Sequence, residues 1–514
     1  MTALENKSVF LPHSYHSMTV ASGLHATAMR DESKIAITHN NNTLTYRELS
    51  NRIHQLTAVA LGKLKIQKGD NVAVVAKSCV EYIEIVSGLP EAGAAVAAIN
   101  PRLTGDEIAA ICDDSGARVV FADDSSIETV SNAKYATVER IIHIGPEYES
   151  LLASSSSPDS YPVINEWDNW MIPYTSGTTG KPKGVVLSHR SRLLAFYQQA
   201  LEYGCYSPED RFLGTTPMSH GAGISFPMAA LMTGGFTEIL DSFDPEFLLR
   251  KLKNGSFSGV FTVPTQHHAI FELSDTILSK YRGIPLKAVI SNASALPQYL
   301  KHKIVEYFGE GLLHETYGST EGGFVTNLRP PYQLKKEQCV GTPFAHCSVK
   351  LTDNCFNEVP ANEPGELWVK SPSGFTEYWN RSAETESAYR EGWITVGDIA
   401  KRDEEGFLYI VDRKKDMVIT GGVNVYPREI EEVLLNHPSI SDVAVIGLPD
   451  AKWGERLKAC VVLRSGCEID QDSLSRFCEG KLAKYKIPKS LETLKNLPRN
   501  ANGKVLKTAL RELT

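Results

Sequence analysis

The sequence predicts an α/β protein in which a large N-terminal domain precedes a smaller α+β C-terminal domain. Three patterns support this class. Val- and Ile-rich runs alternate with helix-like segments over residues 43–121, the alternation returns near Gly259–Val263, and short strands with turn residues dominate residues 340–412. Strands that alternate with helices are typical of βαβ units and a parallel sheet. We therefore expect two α/β sheets and a small β-rich subdomain in the N-terminal domain.

The first α/β sheet is predicted by residues 43–121. Thr45 and Glu48 have the spacing of a capping box and predict that a helix begins there. Short apolar runs rich in Val and Ile fit strands of a parallel sheet better than a helical bundle. The predicted strands are Asn71–Ala76, Ala94–Ile99 and Arg118–Ala122, and the predicted helices are Glu81–Ala92 and Thr104–Asp113.

The second α/β sheet is predicted around Gly259–Val263 and Ala288–Ile290, with the chain entering it near residue 190. The Ser-rich residues 153–160 are expected to form a surface connection. Two strands, Gly365–Lys370 and Phe407–Val411, mark the β-rich subdomain.

The C-terminal domain is predicted to start where a new set of elements follows Asp412. Its strands are expected at Val443–Ile446 and Ala459–Leu463, and its helix at Ser473–Leu482. The basic run Arg413–Lys415 marks the boundary, which divides the chain into domains 1–412 and 413–514.

Composition excludes several functional classes. The net charge is −8, so the chain has no basic surplus with which to bind a nucleic acid. The nine cysteines are single and odd in number, which argues against a disulfide framework. No apolar run reaches the roughly 18 residues of a membrane span, and the N-terminus lacks the apolar region of a signal peptide. These features predict a cytoplasmic protein.

The most informative segment is Tyr174–Gly184, with the sequence YTSGTTGKPKG. Glycines allow close backbone approach, hydroxyl groups can donate to phosphate oxygens, and lysines supply positive charge. The segment is not a Walker A loop, because Thr175 stands where that motif needs its first glycine and Pro182 where it needs Ser or Thr. The alternative is a flexible linker, which the two lysines and the strand predicted at Val185–Leu187 make less favourable.

This loop resembles the phosphate-binding signature of the adenylate-forming superfamily, which includes acyl-CoA synthetases, aryl-CoA ligases, luciferases and peptide-synthetase adenylation domains. Further family motifs follow in the same order along nearly the whole chain. The resemblance implies an AMP-forming acyl-CoA ligase that uses ATP, Mg²⁺, coenzyme A and a small carboxylic acid. The phosphate-binding residues that it implies are Thr175, Ser176, Gly177, Thr178, Thr179, Gly180 and Lys183.

Two segments resemble the family's acyl-pocket motifs. Pro217–Gly223 (PMSHGAG) places His220 where the family has a histidine that orients the carboxylate. Ser291–Leu296 (SNASAL) resembles the loop that runs along the adenine and the acyl group, which implies that Ala293 and Ser294 bind the nucleotide.

The second of these loops departs from the family pattern. Asn292 stands where glycine is usual, and Ala295 stands where proline is usual. We expect Asn292 to narrow the acyl pocket or add a hydrogen bond there. Either effect would favour a small or polar-substituted acid.

Tyr317–Glu321 (YGSTE) resembles the family's aromatic–Gly–x–Thr–Glu motif. The resemblance implies that Tyr317 stacks on adenine beside Gly318, that Thr320 contacts the α-phosphate, and that Glu321 holds Mg²⁺. Because ATP brings several negative charges to one point, a hard cation with oxygen ligands suits this chemistry.

Gly392–Asp398 (GWITVGD) resembles the family's W-x-x-T-G-D motif, and Asp412–Val418 (DRKKDMV) resembles its interdomain segment. Asp398 would accept hydrogen bonds from both ribose hydroxyls, and Arg413 would also reach the ribose. Val396 replaces the usual threonine but leaves Asp398 in register.

The remaining motifs belong to the C-terminal domain. The resemblance makes Lys415 the hinge about which this domain rotates. Gly421 and Gly422 would border the tunnel for the pantetheine arm of coenzyme A. Lys504, in the segment PRNANGK, would be the catalytic lysine of the adenylation step.

Several alternatives stay open. The acyl group could pass to a carrier-protein thiol, the protein could be a luciferase-like oxygenase, or it could be a non-catalytic nucleotide sensor. An amino-acid substrate is disfavoured, since Pro217–Gly223 lacks the aspartate that pairs with an α-amine. A homodimer is the default oligomeric state.

Overall fold

The computed structural model describes residues 17–158, 160–176, 182–421, 423–499 and 505–513, and these residues form four β-sheets. Up to residue 188 the elements are α1 (Ser22–Arg30), β1 (Ile35–His39), β2 (Asn42–Thr45), α2 (Tyr46–Gly62), β3 (Asn71–Val75), α3 (Val80–Glu91), β4 (Ala95–Ile99), α4 (Gly105–Ser115), β5 (Ala117–Ala122), α5 (Ile127–Asn132), β6 (Arg140–His143), α6 (Pro146–Ala153), β7 (Asn169–Met171), β8 (Tyr174–Ser176) and β9 (Pro182–Ser188).

The first sheet has the strand order β6-β5-β3-β4-β7-β9, with β3, β4, β5 and β6 parallel. Strands β3 and β4 are buried at every position, as expected for a parallel sheet covered on both faces. The capping box predicted at Thr45 and Glu48 is present, and Thr104 and Glu107 form a second one. The βαβ organisation predicted for residues 43–121 is therefore confirmed.

The second stretch of the chain supplies most of the second sheet. Its elements are α7 (His189–Tyr203), β10 (Arg211–Gly214), α8 (Gly221–Met232), β11 (Phe236–Ile239), α9 (Pro245–Asn254), β12 (Gly259–Thr262), α10 (Pro264–Phe271), α11 (Asp275–Lys280), β13 (Ala288–Ser291), α12 (Gln298–Phe308), β14 (Leu313–Ser319), β15 (Gly323–Leu328) and β16 (Thr342–Pro343).

The second sheet has the order β16-β15-β14-β13-β12-β10-β11-β1-β2. The prediction that the chain enters this sheet near residue 190 was wrong, because the β1–β2 hairpin already forms its edge. Ile37 pairs in parallel with Thr237, and Asn40 adopts a φ of 54° in the tight turn of the hairpin. Asparagine tolerates this left-handed conformation better than most residues. The hairpin covers the side of β11 that would otherwise be an open edge.

The third sheet is the β-rich subdomain. Its stretch of the chain contains β17 (Ser348–Thr352), β18 (Gly365–Lys370), β19 (Glu377–Tyr378), α13 (Ser382–Ala388), β20 (Tyr389–Arg390), β21 (Trp393–Ile394), β22 (Asp398–Arg402) and β23 (Leu408–Arg413). Strand β19 lies in this stretch of the chain but pairs with β9 of the first sheet, with Tyr378 opposite Val185. This pairing brings Tyr378 next to the predicted phosphate loop.

The fourth sheet belongs to the C-terminal part of the chain, whose elements are β24 (Val418–Thr420), β25 (Val423–Val425), α14 (Pro427–Leu435), β26 (Ile440–Asp450), β27 (Gly454–Leu463), α15 (Gln471–Cys478), β28 (Ser490–Thr493) and α16 (Lys507–Glu512). Asp412, at the end of the β-rich subdomain, accepts a hydrogen bond of 2.9 Å from the backbone of Arg428 in α14. Within the described ranges, no helix is both long enough and apolar enough to cross a membrane.

Candidate active site

The predicted YGSTE residues span the end of β14 and the start of the turn that leads to β15. The two strands are antiparallel, with an irregularity in register between Tyr317 and Gly318. A Cβ atom on Gly318 would lie 2.2 Å from the carbonyl oxygen of Gly323, so only glycine fits there. This close approach makes a tight turn whose tip presents Thr320 and Glu321.

Tyr317, Asp398 and Arg413, each predicted to contact the nucleotide, lie together. The hydroxyl of Tyr317 donates to Oδ2 of Asp398, and Nε of Arg413 lies 3.2 Å from Oδ1 of the same carboxylate. Asp398 and Arg413 face each other across the β22–β23 pair. Burial raises the pKa of the Tyr317 hydroxyl, so that group stays protonated as a donor.

Glu321 is held by a residue that the sequence did not single out. Tyr378 donates its hydroxyl to Oε1 of Glu321 at 2.8 Å, and both residues are buried. The Nζ atom of Lys183 lies 5.2 Å from the centre of the Tyr378 ring, within the range of a cation–π contact. The predicted metal ligand and one predicted phosphate-binding lysine are thus close to the same tyrosine.

The described ends of the predicted phosphate loop lie in two paired antiparallel strands. Thr175 pairs with Lys183 across β8 and β9, and Ser176 pairs with Pro182. A Cβ atom on Gly184 would lie 2.7 Å from Ile172, so the base of this strand pair is tightly packed. The predicted phosphate contacts at Gly177, Thr178, Thr179 and Gly180 lie outside the described residues.

The loop after β13 has an unusual backbone. Ala293 adopts a φ of 79°, which is costly for a residue with a side chain. Oδ1 of Asn292 accepts a hydrogen bond from the Ala293 amide and so stabilises this conformation. Ser294 is exposed, and the amide of Leu296 donates to Oε1 of Glu315 at 3.1 Å.

His220 lies at the N-terminus of α8. Its backbone N–H donates to the carbonyl of Pro217 at 3.1 Å. A Cβ atom on Gly223 would lie 1.9 Å from the same carbonyl oxygen, so this glycine lets the helix begin directly against the turn. His220 is partly exposed at this position.

The predicted hinge residue Lys415 lies between β23 and β24, and Gly421, predicted to border the tunnel, follows β24. Lys415 sits in a turn in which the Asp416 amide donates to the Arg413 carbonyl at 2.9 Å. Lys415 is exposed, and partial desolvation by the surrounding residues lowers the pKa of its ammonium group. Gly421 has a φ of 60° and donates its amide to the carbonyl of Trp453 at 2.8 Å. Gly422 and Lys504 lie outside the described residues.

Hydrogen bonds and ion pairs therefore connect only some of the predicted site residues. Within the described part of the chain they connect Tyr317 with Asp398 and Arg413. They do not connect Asn292 or Gly421 to that group.

Arg192 in α7 is a second residue that sequence reasoning missed. It is buried, and its guanidinium donates to the backbone carbonyl of Ser373. The segment SHRSRLL contains two arginines, and the sequence gives no sign of which one points inward. Arg190, the other, is partly exposed and pairs with Glu166 at 2.9 Å.

One cluster of possible metal ligands lies away from this site, formed by His25, His54 and Glu91. The two imidazole rings are stacked, with an interplanar angle of 8° and centroids 4.4 Å apart. Lone pairs in parallel ring planes do not converge on one ion, so this arrangement is better explained as packing between helices. Glu321 belongs to no such cluster among the described residues.

Proteins of known function resemble this chain in sequence and fold. The AMP-binding enzyme family model matches residues 24–379, and the AMP-binding enzyme C-terminal domain model matches residues 429–504. A 2-succinylbenzoate–CoA ligase of Bacillus cereus strain Q1 is 31% identical over 497 residues, which cover 96% of this chain and 99% of the relative.

Solved structures of CoA synthetases also resemble this chain. An o-succinylbenzoate CoA synthetase of Bacillus subtilis, solved with an acyl-adenylate intermediate, has a TM-score of 0.86 and 26% identity, covering 97% of this chain and 99% of its own. A fatty acyl CoA synthetase of Mycobacterium tuberculosis has a TM-score of 0.78 and 31% identity, covering 96% and 98%. The predicted fold class is confirmed. The chain belongs to the AMP-binding enzyme family and, within it, to the AMP-forming acyl-CoA ligases.

Proposed function

We propose that one site, built around Tyr317, Asp398 and Glu321, performs both steps of the ligase reaction with coenzyme A as the acceptor. In the first step the acid attacks the α-phosphate of ATP and releases pyrophosphate. In the second step the thiol of coenzyme A attacks the acyl-adenylate and releases AMP. The observation that carries the proposal is the convergence of Tyr317, Asp398 and Arg413.

The first step is electrostatically demanding, since an anion must approach an anion. Positioning and preorganised positive charge are the usual remedies. We assign the positive charge to Lys183 and Lys504, the phosphate cradle to Thr175–Thr179, and contact with the α-phosphate to Thr320. His220 orients the substrate carboxylate in this scheme.

Glu321 is the proposed ligand of Mg²⁺. Mg²⁺ is commonly bound by one or two carboxylates together with substrate phosphates. Tyr378 donates to Oε1 of Glu321 and so orients the carboxylate that would hold the metal. When bound, Mg²⁺ offsets the negative charge of the polyphosphate.

The second step requires a route for the thiol. We propose that domain 413–514 rotates about Lys415 relative to domain 1–412. The rotation would remove Lys504 from the site and bring in Gly421 and Gly422. Turn residues that absorb a large change of φ and ψ are a common hinge.

Replacing Asp398 with alanine is expected to raise the KM for ATP about 10–100-fold, because hydrogen bonds to a charged group contribute about 1.5–3 kcal/mol. The KM for the acid should change little. Steady-state kinetics with each substrate varied in turn measures both values. Asp403→Ala is the matched control, since Asp403 lies in the same subdomain and pairs with Lys336 at 2.8 Å. An unchanged KM for ATP in Asp398→Ala would contradict the ribose assignment.

For the acid, we propose a small or polar-substituted substrate. The Bacillus relatives are named for 2-succinylbenzoate, which carries such substituents. Oδ1 of Asn292 is engaged by the Ala293 amide, so the donor available to a substrate is the Asn292 amide nitrogen. The sequence left open whether Asn292 narrows the pocket or adds a hydrogen bond. This contact identifies the atom that would donate such a bond.

Replacing Asn292 with glycine is expected to reduce the preference for polar-substituted acids about tenfold, the value of roughly one hydrogen bond. The measurement is the ratio of kcat/KM for 2-succinylbenzoate and an unsubstituted long-chain fatty acid, in both proteins. A wild-type protein that prefers the long unsubstituted chain would refute the substrate proposal.

The proposed function is tested by mixing the protein with ATP, Mg²⁺ and a panel of acids, and following pyrophosphate and AMP release with and without coenzyme A. Acid-dependent pyrophosphate release, with repeated AMP release only when coenzyme A is present, supports the proposal. Release that stops after one turnover despite coenzyme A indicates another acceptor, such as a carrier-protein thiol. Oxygen consumption would indicate a luciferase-like oxygenase, and nucleotide binding without turnover would indicate a sensor.

We further propose a cytoplasmic location. None of the nine cysteines is paired in a disulfide, which suits a reducing compartment. A homodimer stays a prediction from the sequence.

A further inference from the structure

Arg192 is a buried charge without a buried counter-charge. It lies on α7, and no carboxylate among the described residues pairs with it. Burial lowers its pKa to about 10, so the guanidinium remains protonated at neutral pH. Its Nη2 donates to the Ser373 carbonyl, while its Nε is buried and finds no hydrogen-bond partner among the described residues.

The carbonyl that Arg192 holds belongs to a short turn, Ser371–Phe375, which we call the bracing turn. Ser373 is fully buried in it, and the hydroxyls of Ser371 and Ser373 are 2.8 Å apart. The amide of Gly374 donates to the carbonyl of Ser371 at 3.2 Å. The bracing turn connects β18 to β19 and so leads directly to Tyr378.

The bracing turn packs at two points on the β14–β15 turn, which contains Glu321. The amide of Phe375 donates to the backbone carbonyl of Glu321 at 2.7 Å. A Cβ atom on Gly323 would lie 2.8 Å from the Ser373 carbonyl and 2.2 Å from its hydroxyl, so the two backbones are in direct contact. Arg192, the bracing turn and Glu321 therefore form one continuous chain of contacts.

A purely structural role would be filled at lower cost by an apolar side chain. A guanidinium removed from water without a carboxylate partner is expensive, and well-packed apolar residues often replace buried ions without loss of stability. A hydrogen bond from a charged donor to a carbonyl is, by contrast, stronger and more directional than a neutral one. The charge of Arg192 is thus suited to fixing the Ser373 carbonyl in one place.

We propose that Arg192 is a positioning residue that holds the bracing turn against Glu321 and thereby fixes the Glu321 carboxylate for adenylation. The inference deepens the proposed function, because it rests on the role of Glu321 as the ligand of the metal that accompanies ATP. Outer partners that orient a metal ligand typically contribute 10–100-fold to metal affinity or activity.

The test uses the variants Arg192→Met and Arg192→Lys, with Arg190→Met as the matched control from the same helix. Binding of ATP with Mn²⁺ and without metal is measured by calorimetry, and the two half-reactions are measured separately. Arg192→Met is expected to weaken Mn²⁺-dependent ATP binding about 10–100-fold and to slow adenylation by a similar factor. Thioester formation from added acyl-adenylate and the KM for the acid should stay near wild-type values.

The conservative variant and the control are both expected to stay close to wild type. Arg192→Lys keeps a charged donor and should recover most of the metal-dependent binding, and Arg190→Met should behave as wild type. Arg192→Gln is expected to slow adenylation more than thioester formation, as Arg192→Met does, but by a smaller factor. This variant keeps the inference testable if the methionine variant does not fold.

Equal losses in both half-reactions would overturn the inference, since they would indicate a general structural defect. Unchanged Mn²⁺-dependent binding in Arg192→Met would overturn it as well, and would leave the proposed role of Glu321 standing. If wild-type protein binds ATP equally with and without metal, the role of Glu321 and this inference both fail.

Discussion

Replacing Lys504 with alanine is expected to stop acyl-adenylate formation while thioester formation from added acyl-adenylate continues. The reason is that Lys504 is assigned to stabilise charge at the α-phosphate only in the first step. Loss of one well-aimed donor of this kind typically slows a reaction about 10²–10³-fold. Acid-dependent pyrophosphate release measures the first step, and acyl-CoA formed from synthetic acyl-adenylate measures the second.

The control for this prediction is Lys495→Ala, which removes an exposed lysine from the same part of the chain. It should leave both half-reactions unchanged. Equal loss of both half-reactions in Lys504→Ala would refute the assignment of Lys504 to the first step alone.

The second large effect is expected at the hinge. Lys415→Pro should slow thioester formation more than adenylation, because proline fixes φ and also disfavours the α region for Lys414. Lys415 is the third residue of a turn closed by the bond from the Asp416 amide to the Arg413 carbonyl, so both central residues of the turn are restrained. Single-turnover rates of the two half-reactions provide the measurement.

Lys415→Ala is the matched control, since it removes the side chain and leaves the backbone free. It is expected to keep both rates within about twofold, as ordinary surface substitutions do. If Lys415→Pro also leaves both rates unchanged, or lowers them equally, rotation about Lys415 is not supported.

Much of the fold could be predicted because short segments of the sequence specify its helices and strands. The capping boxes at Thr45 and Thr104 and the apolar strands β3 and β4 are visible within a few residues. The β1–β2 hairpin could not be placed, because its pairing of Ile37 with Thr237 joins distant parts of the chain. Periodicity specifies an element but not its distant partner.

The residues of the candidate site were likewise only partly predictable from the sequence. Tyr317, Asp398 and Arg413 were found because each lies in a motif, and their meeting follows from strands β14, β22 and β23. Tyr378 and Arg192 lie in no motif, and their importance depends on burial and on contacts with Glu321 and Ser373. Burial of one arginine rather than its neighbour is set by the packing of α7, which the sequence alone does not specify.

The most direct test of the account follows a heavy-oxygen label in the carboxylate of the acid. If the acid attacks the α-phosphate of ATP, one labelled oxygen passes to AMP during acyl-CoA synthesis, and pyrophosphate carries no label. This result is expected for wild-type protein, and transfer of the label to AMP is expected to be lost in Lys504→Ala. Label in orthophosphate, with ADP as the nucleotide product, would contradict an acyl-adenylate and with it the roles assigned to the site.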